Sequence, residues 1–287
     1  MARQRRINLL LIALVASLAI VLWWTSRSTT PPQPPGPTTL TRLAPDRIHH
    51  LAVRHRSDLV ELARGQTGWH LQAPVTAPAD TAHLQVLLPL AAAQPARRLG
   101  DVGSIPDRVT GTGDAAIVVR YDDAAPVRIG HAGPQRGTYY VQTDRGLFLV
   151  PIAHLAPLDW QWTDWLDRGL VAPDRRLKRL VLPRYTLSRD TAGQWQAAPA
   201  DTDRPPAAAA ATVSAWRQAR ALSVVPADRT RARIARVTLY FDDGDKQVYD
   251  IIEDHPNLIL RNPRLGVDYH FAGNRVAPLL RLVHPGM

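Results

Sequence analysis

The stretch "QTGWHLQAP" at residues 66–74 returns in altered form as "TAGQWQAAP" at residues 191–199. Each places a glycine-containing turn ahead of a short strand that carries a tryptophan, Trp69 or Trp195, and stops at a proline, Pro74 or Pro199. Alternating apolar and polar residues around such a turn form the pattern of a hairpin. The tryptophan supplies a large apolar plug on which a following helix can pack. A chain that writes this unit twice implies a duplicated fold.

Working outward, "DRIHHLAVRH" from Asp46 matches "DRRLKRLVLPR" from Asp174, a short apolar strand ahead of each hairpin. Each hairpin is followed by a helix-like stretch. In the first, Leu84, Leu87, Leu88 and Ala91 recur at i, i+3, i+4 and i+7. In the second, Pro205 and Pro206 stand where a helix start tolerates them, before an alanine run. Alternating strands come next, with Ile117, Val119 and Tyr121 in one copy and Val237, Leu239 and Phe241 in the other, each leading to an Asp-Asp turn. "TYYVQTDRGLFLVP" and "LILRNPRLGVDYHFAG" follow as further strand pairs, and both copies close on Ala-Pro-Leu, at 156–158 and 277–279. The order predicts an α+β fold: an N-terminal transmembrane helix, then two tandem, mostly antiparallel β units, each with one main packed helix. The expected divisions are a cytoplasmic tip and anchor (1–25), a Pro/Thr-rich linker (26–45), a first α+β repeat unit (46–158), a connecting amphipathic helix (159–173) and a second α+β repeat unit (174–287).

Residues 7–24, "INLLLIALVASLAIVLWW", carry no charge. As a helix they reach about 27 Å, the thickness of a hydrocarbon core. Arg3, Arg5 and Arg6 precede them, which keeps the N-terminus cytoplasmic. Trp23 and Trp24 stand where a cleaved signal needs small residues, so a retained single-pass anchor is expected, with the bulk of the chain in a bacterial periplasm. Prolines at 31, 32, 34, 35 and 37 favour an extended spacer of at most about 50 Å. The chain has no cysteine, which excludes disulfides and a lipoprotein-type anchor. Its net charge of +10 includes four arginines flanking the apolar run, and the remainder is interleaved with Asp and Glu. That is a solvated mixed surface, and no nucleic-acid partner is expected.

The strand pair leading into Gly68-Trp69-His70-Leu71-Gln72-Ala73-Pro74, the Pro78-Ala79-Asp80 that opens a helix, and "DWLDRGLV" at 164–171 together resemble a bacterial domain-of-unknown-function family. Its members are single-span envelope proteins found beside auxiliary components of gliding-motility-type ABC transporters. The resemblance covers residues 46–180. It implies an envelope location and a partner among envelope or transporter proteins, and it brings no catalytic residues. The second copy departs from it: its Trp195 is not directly preceded by glycine, and "TDRPP" replaces Pro-Ala-Asp.

Candidate chemistry is sparse. "GTGDAA" at 111–116 spells a dinucleotide fingerprint, but that motif works between a strand and a helix, and here it precedes a strand. His49, His50 and His55 do not converge as zinc ligands must. Asp122-Asp123 and Asp242-Asp243-Gly244-Asp245 occupy equivalent hairpin turns, where Asp and Gly suit the backbone. No cofactor, metal or catalytic residue is assigned, and the chain is read as a non-enzyme. In "PLDWQWTDWLDRG", Leu158, Trp162, Trp165 and Leu166 make one helical stripe and Trp160 lies off it. Trp160, Trp162 and Trp165 are the candidate partner-binding residues, since aromatics anchor interfaces. The function expected is a periplasmic binding or scaffolding protein, accessory to an ABC-type transporter. The alternatives are a cell-envelope glycan-binding module and a hydrolase with a site between the repeats.

Overall fold

The computed structural model describes residues 39–152, 160–199 and 206–282. Nine strands form the first antiparallel sheet: β1 (His50–His55), β2 (Asp58–Gly65), β3 (Gly68–Ala73), β4 (Ala77–Pro78), β5 (Arg97–Gly100), β6 (Ile117–Tyr121), β7 (Val127–Ala132), β8 (Thr138–Thr143) and β9 (Gly146–Pro151). Their order is β4-β3-β2-β1-β6-β7-β8-β9-β5. Eight form the second: β10 (Leu177–Val181), β11 (Thr186–Arg189), β12 (Trp195–Ala198), β13 (Ser223–Pro226), β14 (Ala235–Phe241), β15 (Lys246–Glu253), β16 (Leu258–Asn262) and β17 (Val267–Phe271). Their order is β12-β11-β10-β14-β15-β16-β17-β13. Apart from β4, the second sheet repeats the first strand for strand.

The α+β expectation is corrected by these sheets. The described chain is mostly β, with four short α-helices: α1 (Leu84–Leu90), α2 (Asp107–Thr110), α3 (Pro206–Gln218) and α4 (Val276–Leu280). The helical periodicity from Leu84 is real but brief. Pro89 lies inside α1, and a proline lacks the N–H that would continue the ladder. No helix among the described residues is long and apolar enough to cross a membrane. The span expected at 7–24 lies outside the described residues, as does the Ala-Pro-Leu at 156–158.

Strand alternation fixes the buried faces. Ile117, Val119 and Tyr121 on β6, and Val237, Leu239 and Phe241 on β14, all point into the core. Each main helix is tied to its half by an aromatic side chain. Tyr121 donates its hydroxyl to Leu87 O of α1 at 2.6 Å. From α3 itself, Trp216 Nε1 donates to Leu279 O of α4 at 2.7 Å. Burial pushes the Tyr121 hydroxyl far up, so it stays a donor.

Two expected boundaries shift. Leu40 is fully buried and its N–H donates to Ala93 O at 3.0 Å, so the last residues of the expected linker belong to the folded body. In the second half Leu170 N donates to Ala219 O at 3.3 Å, and Leu170 is equally buried. "APDR" follows each leucine, at 44–47 and at 172–175. The repeat therefore opens at Leu40 and Leu170, ahead of Asp46 and Asp174. The connecting amphipathic helix at 159–173 is also corrected. Among its described residues only Trp162–Trp165 winds, as one 3₁₀ turn, and the chain leaves that turn extended at Leu166. Aligned apolar residues could be read as one helical face, but the backbone of this segment bonds to Pro78 and Asp80 on one side and to Ala219 and Ala221 on the other.

That extended segment splices the two sheets edge to edge. Leu166 bridges Ala79, Asp80 N donates to Trp165 O at 2.8 Å, and Asp167 N donates to Pro78 O at 3.0 Å. A few residues on, Gly169 bridges Arg220 and Ala221 N donates to Arg168 O at 2.9 Å. Leu222 N then continues to His270 O of β17. The outer side of β4 thus joins the start of β13, and the backbone groups of two sheet edges are satisfied at once.

Close approach sets one glycine. A Cβ built on Gly130 would lie 2.1 Å from Thr110 O, where the loop holding α2 crosses β7. Gly130→Ala is expected to lower stability by about 2 kcal/mol or more, because the contact is with backbone that cannot rotate away. Gly65→Ala is the control, its nearest neighbour standing at 3.5 Å. Thermal melts of the two variants should separate clearly.

Candidate functional site

The three tryptophans proposed from sequence do not form one exposed patch. Trp165 is 1% exposed and belongs to the core. Trp162 is half-buried and packs against the same core. Trp160 is also half-buried, edge-on to Trp165 with ring centroids 5.5 Å apart. Between them lies His83, 4.6 Å from the Trp160 ring and 4.8 Å from that of Trp165. The sequence reading did not single out His83. Its place just before α1, three residues after Asp80, gives no chemical pattern by itself.

This aromatic cluster closes one end of a groove of about 730 Å³ that runs along α1, between Val86, Pro89 and Leu90 on one wall and Ile152 and Trp160 on the other. On the far side of the same helix lies a smaller hollow of about 330 Å³, floored by Leu84 and Leu88 and flanked by Trp69 and Arg64. Gln85 and Pro89 reach both, so α1 stands as a ridge between two apolar depressions, each with a tryptophan at its side. Both suit apolar side chains of a partner better than a polar metabolite.

Beneath the cluster runs a chain of charges. Asp80 faces Arg168 at 3.8 Å and Arg220 at 4.0 Å, and Arg220 binds Asp167 at 2.9 Å. Asp164 caps the 3₁₀ turn by accepting from Gln161 N at 3.0 Å. Burial is the largest influence on His83 and lowers its pKa below the usual 6.5, outweighing the nearby carboxylates of Asp164 and Asp80. Pro78-Ala79-Asp80 and "DWLDRGLV", noted separately in the sequence, are thus the two sides of one joint.

The other candidates sit apart from this place. Asp122 closes the β6–β7 turn and accepts from His49 N and His50 N at 3.1 and 2.7 Å. Asp243 and Asp245, in the β14–β15 turn, each bind Arg175 at 3.0 Å. In "GTGDAA", Gly111 ends α2 in a left-handed conformation and the segment leads into β6, as a loop. Among the described residues, no three side chains of metal-ligating type gather. No protein-family model, curated protein or solved structure matches this chain.

Proposed function

We propose that this chain is a binding or scaffolding protein of the bacterial cell envelope, held at the inner membrane by residues 7–24 with its folded body in the periplasm. Its partner is another envelope protein of the same membrane, an ABC-type transporter component in keeping with the family resemblance at 46–180. The observation that supports this reading is where the described body begins. Leu40, the second described residue, is hydrogen-bonded to Ala93 at 3.0 Å, and Ala93 lines the groove beside α1. The described body therefore begins beside an apolar groove. A partner sharing the membrane meets that surface at high effective concentration. Trp160 and Trp69 are the anchors expected to dominate such a contact.

The test is affinity capture of the full-length chain from detergent-solubilised membranes. A membrane-protein partner in stoichiometric amount is expected, and Trp160→Ala should weaken its retention about tenfold or more, in line with a loss above 1 kcal/mol at an interface anchor. Retention of cell-wall material alone would replace this reading with the glycan-binding one.

A further inference from the structure

Alternation that buries Val53, Val119 and Tyr121 sends their neighbours to the other face of the first sheet. Tyr121 bonds α1 from the inner side, so this outer face lies across the sheet from α1 and its groove. The register sets Leu59, Arg54, Val118 and Arg128 in one row across β2, β1, β6 and β7, and Glu61, Ala52 and Arg120 in the next. Arg120 is therefore diagonal to both Arg54 and Arg128, at about 7–8 Å, a separation that long side chains span. Over Ala52, the smallest of the group, opens a hollow of about 240 Å³ lined by Arg54, Leu59, Glu61, Val118 and Arg120. Three like charges thus share one face. Among the described residues neither Arg54 nor Arg120 has a hydrogen bond, ion pair or ring contact, and Arg128 donates to Gly113 O at 3.5 Å.

The second sheet supplies the comparison. There Leu180 pairs with Leu239 as Val53 pairs with Val119, so Val181, Tyr240 and Val248 stand where Arg54, Arg120 and Arg128 do. In the place of Ala52 stands Arg179, and its guanidinium lies over the Tyr240 ring at 4.1 Å. The same fold therefore needs no arginine at those three positions, and its cation on this face has an aromatic partner.

We infer that the outer face of the first sheet docks an acidic segment of a partner protein. One carboxylate sits over Ala52 between Arg54 and Arg120, and an apolar neighbour lies on Leu59, which is 44% exposed. A guanidinium grips a carboxylate through two parallel bonds, which a lysine cannot do. Glu61 on the rim favours a carboxylate over a phosphate group, because the carboxylate brings one negative charge against it and the phosphate nearly two. This surface is separate from the α1 groove, so the inference goes beyond the partner reading above and does not rest on it.

The test is binding of a dye-labelled Glu-Leu-Glu-Leu peptide to the full-length chain in detergent micelles, read by fluorescence anisotropy. Saturable binding that weakens as salt is raised is expected. Arg54→Ala/Arg120→Ala should raise the dissociation constant about tenfold or more. Both arginines are exposed, so the sheet signal in far-UV circular dichroism should not change. Arg184→Ala/Arg229→Ala removes the same charge from exposed positions of the second half and should leave binding as it was. Arg54→Lys/Arg120→Lys keeps the charge, loses the fork, and should fall between. Absence of saturable binding, equal weakening in the two alanine pairs, or displacement of the peptide by inorganic phosphate at lower concentration than by free glutamate would each overturn the inference.

Discussion

Trp216→Ala is expected to cost about 4 kcal/mol of stability, the range for deleting a fully buried large aromatic. Trp216 is 0% exposed. It lies on the inner face of α3 with Ala208, Ala209, Thr212 and Val213, all buried. Its ring also meets Tyr249 at 6.0 Å. Two losses add in the alanine variant. The cavity forfeits packing against β15, and Leu279 O is left without the indole donor that reaches it at 2.7 Å. The second loss can be separated. Trp216→Phe keeps most of the volume and removes only the donor, so about 1–2 kcal/mol should go. For a chain of this size, 4 kcal/mol corresponds to a fall of about 10 °C in melting temperature. Equal melting of the two variants would mean that the hydrogen bond, and not the packing, holds α3 to α4.

Asp268→Ala is expected to cost about 3 kcal/mol, near the lower end for orphaning a buried charge. Arg261 on β16 meets Asp268 on β17 through two parallel bonds, Nε to Oδ1 at 2.7 Å and Nη2 to Oδ2 at 2.8 Å. Asp268 is 2% exposed, and the Arg261 side chain 13%. The same guanidinium holds the loop before β14, donating to Asp228 O at 2.6 Å and Arg231 O at 3.2 Å. Asp268 Oδ2 also accepts from Asp228 N at 3.2 Å. Removing Asp268 leaves Arg261 facing carbonyls alone and frees the loop at Asp228 N. Asp268→Asn retains an acceptor and should lose clearly less. Denaturant titrations of both variants give the comparison, and a loss under about 1 kcal/mol for Asp268→Ala would place the pair with ordinary surface ion pairs.

The residues behind these two predictions differ in how far the sequence disclosed them. Trp216 stands in an alanine-rich run after paired prolines, so its helix was legible, and a tryptophan on a helix face is a core candidate by size alone. Asp268 and Arg261 were not legible as partners. They meet only because the β16–β17 register sets them directly opposite, with Asp250 of β15 across from Arg261 and Arg236 of β14 across from Asp250 in turn. A one-residue slip of any strand would turn its members to the other face. The joint tells the same story. Asp80 and Arg168 each lay in a stretch noted for its pattern, but their meeting depends on the path of the segment between Trp165 and Leu170. Its tryptophans and leucines read equally well as a helical stripe until backbone groups on both sides, from Pro78 and Asp80 to Ala219 and Ala221, bond to it.

The amino-acid order alone determined where strands alternate, where Gly and Asp turn the chain, and that the same succession of elements is written twice, because alternation, turn chemistry and proline geometry act over a few residues. Tertiary structure decided the rest. It kept α1 to seven residues and so made the body mostly β, and it turned a presumed helix into a splice between two sheets. It also folded Trp160, Trp162 and Trp165 against the core, the first and last of them around His83. Each of these depends on which distant backbone groups and side chains compete for the same partners, a competition settled only when the whole chain is packed.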